Sequence, residues 1–105
     1  MMDLTEVKKQ IEQDIRQNRI ILYMKGERHM PRCGFSARVV EILEQYGVDF
    51  ATRDVLKSEA LRQAIKEYSN WPTLPQLYVN GEFIGGCDIV TELHESGELK
   101  KILGV

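Results

Sequence analysis

The sequence predicts an α/β domain in which a mixed four-stranded sheet carries helices on both faces. Three observations lead there. The short unbroken apolar run Ile20–Met24 has a helical pattern before it and another beyond it. Such a run suits a central strand covered on both sides. A strand, a helix and a second strand then follow in order, which requires a parallel pair with a right-handed crossover. Finally, Asn80-Gly81 between two short apolar segments is a strong hairpin signal and adds an antiparallel pair. Helices packed on both sides of such a sheet close the core.

The elements read as follows. Leu4, Val7, Ile11 and Ile15 recur at helical spacing, with Lys8, Lys9, Glu12 and Gln13 on the other side. After the strand Ile20–Met24 comes a charged loop from Lys25 to Arg32, with Gly26 and Pro31 in it. A second helix is predicted over Ala37–Tyr46, with Phe35, Val39, Leu43 and Tyr46 as its stripe and Gly47 as its C-terminal cap. Phe50–Asp54 reads as the second strand. Ser58 is placed to cap a third helix, Glu59–Tyr68, whose buried stripe is Leu61, Ala64, Ile65 and Tyr68. Asn70-Trp71-Pro72-Thr73-Leu74-Pro75 interrupts regular structure. Gln76–Val79 and Glu82–Ile84 form the hairpin around Asn80-Gly81. Gly85-Gly86-Cys87-Asp88 is a tight turn, with Asp88 as the cap of a fourth helix that Gly97 ends. Leu99, Ile102 and Leu103 mark a last short helix.

A chain of 105 residues is expected to be one domain, 1–105, with a single core. With 43% apolar and 29% charged residues, the composition is that of a soluble globular protein. A net charge of -2 leaves no basic footprint, which argues against nucleic acid as a partner. No run approaches the ~20 apolar residues that span a bilayer, so no membrane association is expected. Met1–Lys9 lacks an apolar signal core and is too acidic for a transit peptide. Two cysteines are too few for a secreted disulfide framework and fit a reducing compartment, which places the protein in the cytoplasm.

Four places carry chemistry. Cys33 stands where the loop gives way to a helix, and unpaired N–H groups and the helix dipole there favour thiolate over thiol. Ser36 holds the position where a two-thiol redox motif has its second cysteine, leaving one thiol with no local partner. Lys25 ends the strand beside that loop, where its ammonium favours the thiolate or binds a carboxylate; a lone loop lysine otherwise sits in solvent. Arg62, at the edge of the third helix's stripe, is either solvated or directed to the same anion as Lys25. In Trp71-Pro72-Thr73-Leu74-Pro75, Pro75 is the better candidate for a cis bond, which would leave the Leu74 main chain free to pair with an extended peptide; the alternative is an ordinary proline turn. At Gly85-Gly86-Cys87-Asp88, a helix N-terminus offers N–H groups to a carboxylate and Asp88 can meet an amine; the alternative is a hairpin exit with a helix cap. Together these places request a thiol, two carboxylates, an amine and a peptide-like middle. Glutathione has that set of groups.

Cys33-Gly34-Phe35-Ser36, Trp71-Pro72-Thr73-Leu74-Pro75-Gln76 and Gly85-Gly86-Cys87-Asp88 resemble the motifs of the monothiol (CGFS-type) glutaredoxins. The resemblance covers almost the whole chain and includes the lengthened loop from Gly26 to Arg32. It implies a thioredoxin-like (glutaredoxin) fold with cis Pro75. It implies glutathione binding by Lys25, Arg62, Leu74, Cys87 and Asp88. It implies a [2Fe–2S] cluster ligated by Cys33 and bridged between two subunits, with BolA-type proteins and client apoproteins as partners. Ligand counting agrees with this: such a cluster takes four thiolates, and two copies of Cys33 with two glutathiones supply them. The expected assembly is a monomer when apo and a homodimer through the cluster. Its function is then to carry and transfer the cluster in iron–sulfur assembly and iron homeostasis. The alternative is a glutathione-dependent oxidoreductase in which Cys33 attacks a mixed disulfide and glutathione resolves it. Cys87 is read as a packed thiol rather than a ligand. His29 and His94 are assigned to neither role.

Overall fold

The protein is described from a computed structural model, which covers residues 3–105. Helix α1 (Leu4–Gln17) opens at Asp3, whose carboxylate accepts the Glu6 N–H at 3.0 Å, and it buries Val7, Ile11 and Ile15. Strand β1 (Ile20–Met24) follows, with all five residues buried. Its side chains alternate between two apolar layers. Ile20, Leu22 and Met24 belong to one, and Ile21 and Tyr23 to the other. The continuous hydrophobicity of the run is the consequence of that double coverage.

The segment after β1, expected as a loop, folds into a two-stranded ribbon. Strand β2 (Gly26–Glu27) pairs antiparallel with β3 (Met30–Pro31), in the register Gly26↔Pro31 and Glu27↔Met30. Gly26 makes this possible. It adopts φ 92°, and a Cβ there would sit 2.6 Å from both the Arg32 nitrogen and the Met30 oxygen. Its N–H donates to Asp54 Oδ1 at 2.9 Å, pinning the ribbon to a strand that comes later in the chain.

Helix α2 (Gly34–Gln45) starts three residues before Ala37 and buries Ser36, Val39, Val40, Ile42 and Leu43. Phe35, assigned to this stripe from its spacing, is instead 62% exposed. It occupies the first turn on the edge of the apolar arc, beyond the reach of the sheet. Strand β4 (Ala51–Asp54) begins one residue after the expected Phe50 and pairs parallel with β1. Asp54 also accepts the Leu56 N–H at 2.9 Å, starting a short 3-10 turn, Val55–Lys57. Ser58 caps α3 (Glu59–Ser69) as expected, its hydroxyl accepting the Leu61 N–H at 3.1 Å. Of the predicted stripe, Ala64 and Ile65 are fully buried, whereas Tyr68 is 38% exposed.

Strands β5 (Gln76–Val79) and β6 (Glu82–Gly85) form the hairpin, with positive φ at both Asn80 (53°) and Gly81 (82°), as a type I′ turn requires. Helix α4 (Cys87–Ser96) is capped by Gly86, so Asp88 lies inside the first turn and is not the cap expected of it. Gly97, at φ 84°, separates α4 from α5 (Glu98–Leu103). The sheet order is β4-β1-β5-β6. The layer with Leu22 and Met24 packs under α2, α4 and α5; the layer with Ile21 and Tyr23 packs under α1 and α3. This is the mixed, helix-flanked sheet of the thioredoxin-like class. It brings the C-terminal end of β1, the N-termini of α2 and α4, and the loop before β5 to one end of the molecule.

Candidate functional site

Cys33 is the N-cap of α2, with extended backbone at φ -149° and ψ 134°. Its thiol is half-buried and unbonded to any other cysteine. The thiol pKa is held below its ordinary value. The backbone N–H of Ser36 contributes most; burial opposes it as the next-largest effect, and the Phe35 N–H, the Lys25 ammonium and the Ser36 hydroxyl add to the lowering. These are the orphan donors of a helix start acting on an anion.

Ser36 has a second role. It is fully buried, and its hydroxyl accepts the Lys25 N–H at 3.1 Å. It therefore ties the end of β1 to the first turn of α2. Lys25 in turn accepts the Arg32 N–H at its carbonyl, at 2.9 Å, closing the ribbon immediately before Cys33. The residue that replaces a second thiol is the fastener that holds Lys25 beside the first.

The facing wall comes from the loop before β5. The Leu74–Pro75 peptide bond is cis. Gln76, completely buried, donates from Nε2 to the carbonyls of Trp71 and Thr73, both at 3.2 Å, and accepts from the Tyr78 hydroxyl at 3.1 Å. That bracket fixes the path of the loop. Neither the N–H nor the carbonyl of Leu74 has a hydrogen-bond partner among the described residues, so its main chain is open to a ligand. The third wall is the start of α4. Gly86 packs against the loop: a Cβ there would lie 3.3 Å from the Pro75 carbonyl oxygen and 3.5 Å from Trp71 Nε1. Cys87 and Asp88 follow in the first turn, with Asp88 exposed.

These walls enclose a cleft of about 400 Å³. Cys33, Lys25, Leu74, Cys87 and Asp88 all line it, which brings together residues spread over most of the sequence. Arg62 is not in the lining. It is partly buried on α3, and its Nε is removed from solvent with no hydrogen-bond partner. Lys66, one turn further along α3, lines the cleft instead. Sequence reasoning missed Lys66 and Phe35 as lining residues, while Trp71 entered only as part of the Trp71–Pro75 segment. The spacing of Lys66 from Arg62 was the available signal, and the exposure of Phe35 was hidden by its regular helical spacing. The two histidines lie elsewhere. His94 Nδ1 is bonded to the Tyr46 hydroxyl at 2.6 Å, and His29 sits at the ribbon tip. Arg28 is turned to Glu44 at 3.1 Å and covers the Phe50 ring, away from the cleft. Among the described residues no three His, Cys, Asp or Glu side chains gather as a metal site. No helix among the described residues is long and apolar enough to cross a membrane.

The glutaredoxin family model matches residues 20–84, from β1 into β6. The chain belongs to the glutaredoxin family, on its monothiol branch. Over 100 residues it is 54% identical to an uncharacterized monothiol glutaredoxin of Synechocystis, covering 95% of this chain and 94% of that one. Reduced apo GrxS14 of poplar has the same fold with a TM-score of 0.84, at 46% identity and with 95% and 93% of the two chains covered. A buckwheat glutaredoxin, solved as its complex with glutathione, superposes with a TM-score of 0.85 at 26% identity, covering 95% of this glutaredoxin and 89% of its own chain.

Proposed function

We propose that this glutaredoxin binds glutathione in the cleft and carries a [2Fe–2S] cluster bridged between two subunits, delivering it in iron–sulfur assembly and iron homeostasis. The observation that carries this reading is the cleft itself: a thiolate-favouring Cys33 faces the open main chain of Leu74, with cations at one end and a helix N-terminus at the other. A peptide thiol laid across it pairs with Leu74 through its main chain. Lys25, with Arg62 behind it on α3, attracts one carboxylate. The first turn of α4 at Cys87 attracts the other, and Asp88 meets the amine. The glutathione complex of the buckwheat relative supports this ligand. The donor set also suits the cluster. Each chain brings one thiolate, Cys33, and bound glutathione brings one more, so two chains complete the four that the cluster takes. The dimer is then held by the cargo, the apo protein is a monomer, and BolA-type proteins and client apoproteins are the partners. Both free thiols suit a reducing compartment, and we assign the protein to the cytoplasm.

The lowered thiol pKa of Cys33 also favours the second reading, a glutathione-dependent oxidoreductase acting with one thiol. One experiment separates them. The protein is reconstituted with iron, sulfide and glutathione, followed by absorbance and sedimentation, and a disulfide-reduction assay is run beside a two-thiol glutaredoxin. Cluster absorbance that travels with a dimer, together with weak reductase turnover, is the expected result. A protein that stays colourless and monomeric and turns over like the two-thiol enzyme would overturn the carrier in favour of the reductase.

A further inference from the structure

Gln76 is completely buried, a place that a neutral polar side chain takes when its hydrogen bonds are met. It opens β5, and its main chain is set by pairing with Tyr23 of β1. Its side chain runs back along the sequence. Both amide hydrogens are used, on the carbonyls of Trp71 and Thr73 at 3.2 Å, and the amide oxygen accepts the Tyr78 hydroxyl at 3.1 Å. Exchanging the amide N and O would set an oxygen against two carbonyl oxygens, so the partners fix the orientation.

The Thr73 carbonyl and the Leu74 N–H belong to one peptide unit. That unit is trans, since Leu74–Pro75 is the cis bond among the described residues. A trans peptide is planar, and its C=O and N–H point in opposite directions. Drawing the Thr73 carbonyl onto Gln76 therefore aims the Leu74 N–H away from the buried amide. That N–H has no partner among the described residues, and Leu74 lines the cleft. The other supports of the loop do not set this plane. Ser69 Oγ and the Lys66 carbonyl both accept the Trp71 N–H at 3.1 Å, which holds only the start of the loop. The Leu74 side chain, 7% exposed, packs in the layer under α1 and α3, which holds the side chain and leaves the preceding peptide free to turn.

We propose that Gln76 is a positioning residue for the ligand: by holding the Thr73 carbonyl it aims the Leu74 N–H at the main chain of the bound peptide. The proposal rests on the glutathione reading above and goes beyond it, since Gln76 lies behind the cleft wall and is not part of its lining. A satisfied buried amide also stabilises the fold whatever the cleft holds. That role shows in the melting temperature. Positioning shows in the affinity of the folded protein and in its response to the charge on residue 76.

The test uses this difference. Glutathione is titrated by calorimetry into the reduced wild type, Gln76→Met and Gln76→Glu from pH 5 to 9, with thermal melts at each pH. Each affinity is read as a ratio to that of the wild type, which cancels the titration of Cys33 and of the ligand. Gln76→Met keeps the side-chain length and has no donor. It should bind about three- to tenfold more weakly at every pH, the worth of one hydrogen bond to the ligand. In Gln76→Glu, burial raises the carboxyl pKa. While protonated, the carboxyl retains one O–H donor and still accepts from Tyr78, whose own hydroxyl burial keeps protonated. Once ionised, it sets acceptors alone against two carbonyl oxygens. Its affinity ratio should start near that of the wild type and fall below that of Gln76→Met as pH rises. A folded Gln76→Met that binds as tightly as the wild type returns Gln76 to a purely structural role and leaves the glutathione reading standing. So does a Gln76→Glu ratio that stays constant across the pH at which the melts show its carboxyl ionising. Should Gln76→Glu unfold, or stay protonated over the whole range, the Gln76→Met ratio decides alone. A wild type that binds no glutathione removes that reading, and this one with it.

Discussion

Cys33 and Cys87 each stand at the start of a helix, and both thiols are half-buried. They differ by one residue in helical position. Cys33 is the N-cap of α2, outside the helix proper, where its sulfur meets the N–H groups of Ser36 and Phe35. Cys87 is the first residue inside α4, where Gly86 is the cap, and its side chain packs against the apolar layer beneath α2 and α4. The same atom type is an anion site in one place and a small hydrophobe in the other. The lesson is one of placement: the cap position puts the Cys33 sulfur over the orphan donors of its helix, whereas one residue further in the Cys87 side chain is committed to apolar packing.

The largest expected effect breaks the comparison outright. Cys33→Ser should give a folded protein that takes up no cluster absorbance on reconstitution with iron, sulfide and glutathione. Cys87→Ser should retain it, with a small loss of stability from the packing change. Loss of absorbance in a folded Cys87→Ser would make the second thiol a ligand and erase the distinction.

Next in size is Gly26→Ala. The supports of Cys33 run through the ribbon, and those of Cys87 do not. A Cβ at Gly26 meets backbone atoms at 2.6 Å and the residue sits at φ 92°, so neither a rotamer change nor a small shift absorbs it. Destabilisation of about 2–3 kcal/mol is expected in urea titration. Cys33 alkylation should change in the same variant while Cys87 alkylation stays as it was.

Ser36→Ala sharpens the comparison more gently. It removes the acceptor for the part-buried Lys25 N–H and one of the donors to the Cys33 sulfur. The expected cost is about 1–2 kcal/mol, in the range for a buried donor left unpaired. A variant as stable as the wild type would show that the end of β1 needs no fastener.

The order of these effects follows how far each feature could be read in the chain. Ile20–Met24, the Asn80-Gly81 hairpin and Cys33 were legible because each is decided locally: by an unbroken apolar run, by two positive-φ residues, by a loop meeting a helix. The ribbon was not, because its anchor is Asp54, which lies 28 residues from Gly26. Ser36 read as a missing thiol, and its partner Lys25 becomes visible only when β1 and α2 are set side by side. Asp88 looked like a cap because an acid beside a helix start usually is one; the preceding glycine took that place and left Asp88 free for the cleft. Phe35 matched the α2 stripe in spacing, but spacing does not say where the sheet ends. Lys66 faces the cleft only because of how α3 is rotated against α1 and the sheet, a tertiary fact with no local signature.

The smallest effect concerns pH, and it tests the one-residue difference most directly. The Cys33 thiol pKa in the folded protein is lowered, chiefly by the Ser36 N–H and then by the Phe35 N–H and Lys25. The unfolded chain holds its proton to a higher pH. The folded state therefore binds fewer protons between the two values, and stability rises with pH across that window. The gain is fully present above the unfolded thiol's value and is lost as pH falls through the folded one. Because the thiol is partly exposed and screened by solvent, this slope should be slight beside the effects above. The rate is the better readout. Alkylation by iodoacetamide, quantified for each cysteine by mass spectrometry across a pH series, should reach half its plateau for Cys33 below the pH typical of a free thiol. At neutral pH Cys33 should react ahead of Cys87, although both are half-buried. In Ser36→Ala the Cys33 midpoint should move back up, since one donor is lost, but only part of the way, since the Ser36 main-chain N–H survives as that of Ala. A Cys33 midpoint indistinguishable from a free thiol's would sink the claim that the cap position activates it, and a complete return to that value in Ser36→Ala would transfer the credit from the backbone donors to the hydroxyl.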